Sequence, residues 1–267
     1  MIELKQICEF LERFAPTELA EDWDNVGLLV GDAEAKVAKV MTCLTVTPET
    51  AAEAIERQAD LIVTHHPLPF RSVKKLTTQQ TATRMLWDLI RAGIAIYSPH
   101  TGFDSAAAGI NQMVCQRMGL QNIQPLQPIN TENDTPEPTV GAGRFGQTTG
   151  AIKLAEFIEN AKATFDIQQI QYVGDLAQTV AKAATACGAG GSFIDRVVQV
   201  GCDTFITGEA NFHTCLEAKA RGIALILLGH YSSERFAIEE LATVLNSHFD
   251  DLNVWAAEKE SDPVSWV

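Results

Sequence analysis

The chain lacks any apolar run near the ~18–20 residues that a membrane-spanning helix requires. Its longest, Ile223-Ala224-Leu225-Ile226-Leu227-Leu228, is the size of a buried strand. The opening Met-Ile-Glu-Leu-Lys-Gln has none of the basic-then-apolar layout of a secretory leader. No C-x-x-C pair occurs among Cys8, Cys43, Cys115, Cys187, Cys202 and Cys215, which read as reduced, mostly buried thiols of a soluble cytoplasmic protein. Basic residues are scarce: 20 Lys plus Arg stand against 34 Asp plus Glu, a formal charge of −14. Binding to nucleic acid needs a basic footprint that displaces counterions. Arg71, Lys74 and Lys75 are the nearest thing to a cluster, so neither nucleic acid nor membrane is expected as a main partner. A Gly-rich phosphate loop is also missing. Gly188-Ala189-Gly190-Gly191 comes closest and reads as a tight strand-to-helix turn, with anion binding at the helix that follows as its alternative role.

What the chain does contain is a duplication. Slid by 143 positions, Val30-Gly31-Asp32 falls on Val173-Gly174-Asp175 and Val37-Ala38-Lys39 on Val180-Ala181-Lys182. In the same register Thr42 meets Thr185, Asp60 meets Asp203 and Thr64 meets Thr207. The first copy then carries an insertion around Pro67–Thr78. Beyond it Arg91–Ile96 realigns with Lys219–Leu225, and each copy ends in a polar loop of matching spacing, His100 to Asp104 and His230 to Glu234.

The 267 residues, 46% of them hydrophobic, suffice for two modest domains with their own cores. Leu4, Ile7, Cys8, Leu11 and Phe14 mark one face of a helix closed by Pro16, and Val26–Val30 and Lys39–Val46 read as strands. Thr47-Pro48-Glu49 starts a helix with Thr as N-cap and Pro at the first helical position. Leu61-Ile62-Val63 has the continuous apolar character of a strand covered on both faces. A helix over 79–91 and a strand over 94–98 follow. This alternation predicts an α/β protein of two intertwined, duplicated α/β repeats, each with a mixed sheet covered by helices. The first repeat spans 1–125, with part of the C-terminal segment packed on it. A linker over 126–146 leads to the second repeat over 147–267.

The chemistry-bearing residues concentrate after the strands, where open α/β sheets bind their ligands. His65 and His66 follow Leu61–Val63, His100 and Asp104 follow strand 94–98, and His230 and Glu234 follow strand 223–228. Neighbouring histidines on an extended segment point to opposite sides, so His65 and His66 could each serve a different ion. Three imidazoles and two carboxylates supply a dinuclear site with ions roughly 3.5–4 Å apart if one carboxylate bridges. Such mixed donors suit Zn, Mn, Fe or Co better than Mg or Ca. Of the other histidines, His248 reads as a surface residue of the last helix, and His213 lies near the equivalent of the insertion.

Five segments carry a resemblance. Trp23-Asp24-Asn25-Val26-Gly27-Leu28, Val63-Thr64-His65-His66-Pro67-Leu68-Pro69-Phe70, His100-Thr101-Gly102-Phe103-Asp104, Asp203-Thr204-Phe205-Ile206-Thr207-Gly208-Glu209 and Gly229-His230-Tyr231-Ser232-Ser233-Glu234 resemble the signatures of the GTP cyclohydrolase I type 2 family, described as hexameric dinuclear-metal-centre proteins. The likeness runs over nearly the whole chain. It implies a homohexamer with two divalent transition-metal ions per chain. By position, His66 and Asp104 would bind one ion, His65 and His230 the other, and Glu234 would bridge them; His100 would orient Asp104 or a water. Thr45 and Glu209 depart from the pattern, since many relatives carry Asp at both positions.

The implied activity is that of a metal-dependent hydrolase acting on a small molecule, in the named case a nucleotide whose guanine imidazole ring loses a carbon as formate. His100, Glu209 and His213 are the candidates for general acid or base work. The same residues would serve hydrolysis of another phosphoester or of a cyclic amide. A reading from a different class is a hexameric metal-holding scaffold or regulatory protein with little turnover.

Overall fold

The computed structural model describes residues 1–129 and 139–265. In chain order its elements are β1 (Ile2–Glu3), α1 (Leu4–Phe14), β2 (Gly27–Val30), β3 (Lys36–Val37), β4 (Lys39–Cys43), α2 (Pro48–Glu56), β5 (Leu61–Thr64), α3 (Thr81–Arg91) and β6 (Ala95–Ser98). Next come α4 (His100–Ser105), α5 (Ile110–Arg117), β7 (Gln121–Pro128), β8 (Gly141–Lys153), α6 (Leu154–Phe165), β9 (Gln171–Val173) and β10 (Thr179–Ala186). The last are α7 (Ile194–Gln199), β11 (Thr204–Thr207), α8 (Phe212–Ala220), β12 (Ala224–Leu227), α9 (His230–His248) and β13 (Asn253–Ala256). The expected linker, 126–146, begins inside β7 and ends inside β8, so strand occupies 126–128 and 141–146, and its middle, 130–138, lies outside the described residues. No helix among the described residues is long and apolar enough to cross a membrane.

Two compact units divide the chain: Met1–Phe103 with Arg235–Ser261, and Asp104–Glu234 with Asp262–Val267. The first unit holds a mixed sheet in the order β13-β4-β5-β6-β2, parallel except for β2. One face buries Met41, Cys43, Ile62 and Ile96 against Ala51 and Ala54 of α2 and Leu86 and Leu89 of α3. On β4 the intervening Thr42 points to the other face, where its hydroxyl donates to the Ile238 carbonyl of α9 at 3.0 Å. Covered on both sides, β5 is buried throughout, and Leu61-Ile62-Val63 is the continuous apolar run its sequence predicts. The N-cap of α2 is the expected Thr47, whose hydroxyl accepts from the Thr50 N–H.

A buried carboxylate fastens the returning chain to this unit. Glu53 of α2 is 2% exposed and accepts from Trp255 Nε1 and from the backbone N–H groups of Glu258 and Lys259 at 2.9–3.1 Å. The next residue, Glu260, accepts from the backbone of Leu44 at 2.9 Å and Thr45 at 2.7 Å and pairs with Arg235. These bonds explain why β4 stops at Cys43 rather than running to Val46: the next two amides turn to a carboxylate instead of a neighbouring strand.

The second unit holds a mixed sheet in the order β7-β8-β10-β11-β12-β9, with β10, β11 and β12 parallel. Leu154, Phe157 and Ala161 of α6 and Cys115 of α5 pack with Val180, Ala183, Ile206 and Ile226 in one core cluster. A second cluster joins Val197 of α7 and Ala218 of α8 to Ala184, Phe205 and Leu225. The alternation of neighbours such as Ala183 and Ala184 between the two clusters is the period of two expected of a strand.

The duplication is visible at atomic detail. Strand order β4-β5-β6-β2 in one unit corresponds to β10-β11-β12-β9 in the other, each with two parallel pairings and an antiparallel edge. Asp60 Oδ2 accepts from the amides of Ala38 and Lys39, and Asp203 Oδ2 from those of Ala181 and Lys182. The lysines repeat the match: Lys39 Nζ donates to the Arg57 carbonyl and Lys182 Nζ to that of Val200. Gly31 and Gly174 both hold positive φ, 135° and 128°, where an added Cβ would strike Ala95 in one copy and approach Ala224 in the other.

One expectation is corrected. The segments beginning at His100 and His230 are helices rather than polar loops, α4 and α9. A spacing of four residues is about one helical turn, so each pair lies on one helix face.

Candidate metal centre

In the first unit β5 ends at Thr64 and the ladder continues through two more amides, His65 N–H to the Cys43 carbonyl and His66 N–H to that of Leu44. The chain then bends, and the two rings do not diverge as they would from a straight strand. Their centroids are 5.0 Å apart, and His100 stands 5.1 Å from His65 and 5.5 Å from His66. One ring nitrogen from each of these three lies within 4.8 Å of the others. His65 and His100 are buried, at 1% and 8% exposure.

Neighbouring groups set the ring orientations. His100 Nδ1 is 2.7 Å from Asp24 Oδ1. Burial alone would raise the Asp24 carboxyl, but the hydrogen bonds from His100 and Thr101 outweigh it and hold the pKa down to about 2. The carboxylate accepts the Nδ1 proton, and in the neutral ring that tautomer puts the lone pair on Nε2. His66 Nδ1 is 2.7 Å from the Thr45 hydroxyl. His100 also holds φ at 26°, a conformation that costs a non-glycine residue energy and marks an over-determined position.

The second unit assembles Asp104, His230, Glu234 and Glu209. His230 and Glu234, one turn apart at the start of α9, approach to 3.3 Å through Nε2 and Oε2, and Glu209 reaches His230 Nδ1 at 3.1 Å. The Glu234 hydrogen bond first, and Glu209 after it, hold the ring's pKa up at about 9 against the opposing effect of burial. The Cys187 thiol donates to Asp104 Oδ1 at 3.1 Å, while Asn111 joins the Cys187 amide to the Asp104 carbonyl. Burial pushes this thiol well above its usual range, and the charges of Asp104 and Glu234 add to the effect, so it stays a protonated donor. Gly188 makes room for the carboxylate: a Cβ there would lie 2.4 Å from Glu234 Oε1 and 3.2 Å from His230 Nε2.

These donors are of a kind that could hold a metal ion: ring nitrogens of three histidines gathered together, carboxylates beside a further imidazole, and a glycine leaving space next to Glu234. Of the acid–base candidates, His100 joins the histidine cluster and Glu209 contacts His230. His213 sits exposed on α8 with its ring near Phe212.

Four supporting residues escaped the reading of ligands from sequence. Asp24 lay inside a quoted motif without a role; its signal was a carboxylate between Trp23 and Asn25 in a segment of little apolar periodicity. Cys187 and Gly188 follow β10, so the strand-end rule that selected the histidines would have selected them too. Glu260 carries no local signal, because its partners Leu44 and Thr45 are far away in the chain.

Comparison with known proteins identifies the family. Residues 2–263 match the model of Duf34/NIF3 (NGG1p interacting factor 3), and the chain belongs to that family. It is 31% identical to a Clostridium perfringens protein named GTP cyclohydrolase 1 type 2 homolog, over 100% of both chains. A Clostridium acetobutylicum protein of the same name is 34% identical over 87% of this chain and 85% of its own. Among solved structures, Staphylococcus aureus protein SA1388 superposes with a TM-score of 0.89 at 28% identity, covering 100% of this chain and 99% of that one.

Proposed function

We propose that the protein is a dinuclear-metal-dependent hydrolase of the GTP cyclohydrolase kind, with His65, His66, Asp104, His230 and Glu234 as ligands of two divalent ions. The observation that carries this reading is the convergence of the His65, His66 and His100 nitrogens within 4.8 Å at the carboxyl end of a buried sheet. The Glu234–His230–Glu209 cluster and the relatives' names support it. Bound there, the ions would supply an acidified water and positive charge where negative charge develops.

The chain's own groups do the rest. Asp24 fixes His100 so that Nε2 is the atom that accepts a proton and later returns it. Glu209, 60% exposed on its side chain, connects His230 Nδ1 with solvent and serves as the outward proton relay. Loss of the imidazole-ring carbon as formate severs its double bond to one nitrogen and its single bond to the other and consumes two waters, whose four protons end as two on the first nitrogen, one on the second and one released with the formate. His100 is the group placed to move those protons. The homohexamer implied by the family resemblance and a cytoplasmic location belong to the same proposal.

The test measures metal per chain by elemental analysis and formate release from GTP, with cyclic nucleotides and cyclic amides alongside, before and after chelation. Metal-dependent formate release is the expected result. Full loading with two ions and no turnover on any of these compounds would overturn the hydrolase and leave a metal-holding scaffold.

A further inference from the structure

Trp23 and Phe70 are large, aromatic and exposed, at 61% and 47%, although they flank a buried histidine cluster. Their centroids lie 6.1 Å apart with the rings inclined at 42°, and each is 6.0 Å from the ring of His100. The three ring centroids thus form a nearly equilateral triangle, with the His100 ring edge-on to both aromatics. Leaving so much aromatic surface in water is unfavourable unless something covers it.

The pair is also held in place before anything binds. The Asn25 side-chain amide donates to the Pro69 carbonyl at 2.7 Å, tying the Trp23 segment to the Phe70 segment. Next to Trp23, Asp24 is bonded to His100 and accepts from the Thr101 amide, and Thr101 Oγ1 accepts from the Glu21 amide. An aromatic surface immobilised in this way binds a flat ligand without a further ordering cost. Phe70 leads directly into Arg71, Lys74 and Lys75, the nearest approach to a basic cluster in a chain of net charge −14.

We infer that Trp23 and Phe70 form the stacking subsite that selects a substrate with a planar heteroaromatic ring and an anionic group, and presents that ring to His100. The inference rests on the hydrolase reading for what happens to the ring and adds which residues receive and select it. The ring stacks on one aromatic face and meets the edge of the other, while the anion lies toward Arg71, Lys74 and Lys75. Purines, with the larger π-face, bind more tightly than pyrimidines, and a sugar phosphate without a base binds weakly.

Calorimetric titration of chelator-treated protein with GMP, UMP and ribose 5-phosphate tests this, with tryptophan fluorescence read in parallel. Affinity is expected to fall in the order GMP, UMP, ribose 5-phosphate. GMP should quench a fluorescence component that is missing from the Trp23→Leu variant. Trp23→Leu and Phe70→Leu should each weaken GMP roughly tenfold or more while leaving ribose 5-phosphate unchanged, and Trp23→Tyr should restore much of the loss. Equal affinity for GMP and ribose 5-phosphate, or GMP binding untouched in both leucine variants, overturns the subsite. A leucine variant that changes the oligomeric state while GMP still binds as before overturns it as well, and assigns the aromatic pair to contact between copies. Because no ion or turnover is needed, ring binding without formate release from the metal-loaded protein would sink the hydrolase alone.

Discussion

The Thr45 hydroxyl lies 2.7 Å from Nδ1 of His66, and the Thr45 amide is itself held by Glu260 at 2.7 Å. An acidic residue near the end of the chain thus fixes the segment that orients a proposed ligand. Groups that orient a ligating imidazole typically change metal affinity 10–100-fold when removed. Thr45→Val is therefore expected to weaken binding by about that factor and Thr45→Ser to keep it. Competition against a chromophoric chelator reads the difference.

The family resemblance would give Glu234 the bridging position, so under the proposal its loss is felt by both ions. Glu234→Ala is expected to leave the protein nearly metal-free, whereas His66→Ala should retain close to one ion per chain. Elemental analysis of the two purified variants decides it. A loss of one ion in each would remove the bridge from Glu234.

Gly188 tests whether space beside that carboxylate matters. An alanine Cβ would intrude to 2.4 Å of Glu234 Oε1, and the φ of 57° is unfavourable for alanine. Gly188→Ala should lower metal occupancy with only a modest loss of stability, on the order of 1 kcal/mol from the backbone. Full occupancy in this variant would show that Glu234 can shift without consequence.

Arg144 is a buried cation whose guanidinium donates to the carbonyls of Gly141, Gly143, Ser105, Ala106 and Thr139. Burial lowers its pKa to about 10, which still leaves it charged at neutral pH. Arg144→Met would strand those acceptors in the interior of the second unit. The expected loss is about 3–5 kcal/mol in chemical denaturation, far more than a volume-conserving apolar change would give.

Asp24 predicts an acid sensitivity. Its carboxyl titrates near 2 in the folded chain against an ordinary value of 3.8, so the stabilisation is complete above about pH 4 and drains away as pH falls through 2. The side chain is 1% exposed, and the linked stability is about 2 kcal/mol. Metal-free Asp24→Asn should lose stability at pH 7 and show a flatter stability profile between pH 4 and pH 2 than the parent.

Local and repeated features were legible in the sequence. Asp60 and Asp203 share a register because each accepts from the same two amides of the neighbouring strand segment, and Thr47 caps α2 because the hydroxyl reaches an amide three residues away. Placement of the histidines after strands was legible for the same reason, since a strand's end is written in its own apolar run. The bend after Thr64 was not, and it brings the His65 and His66 rings together where a straight strand would part them. Nor were the helical starts at His100 and His230, whose polar first turns hide the periodicity. Cys187 on Asp104 and Glu260 on Thr45 join residues far apart in the chain, and no local pattern records such a meeting.

Asp60 and Asp203 brace their sheets at the amino ends of β5 and β11, away from the edge where the histidines and acidic groups gather. The bonds that tie strands together and the candidate site therefore occupy opposite rims of each copy. The segment after β5 is longer, around Pro67–Thr78, than its counterpart after β11, yet both braces are the same. One rim can thus differ between the copies without disturbing the contacts that set the sheet at the other.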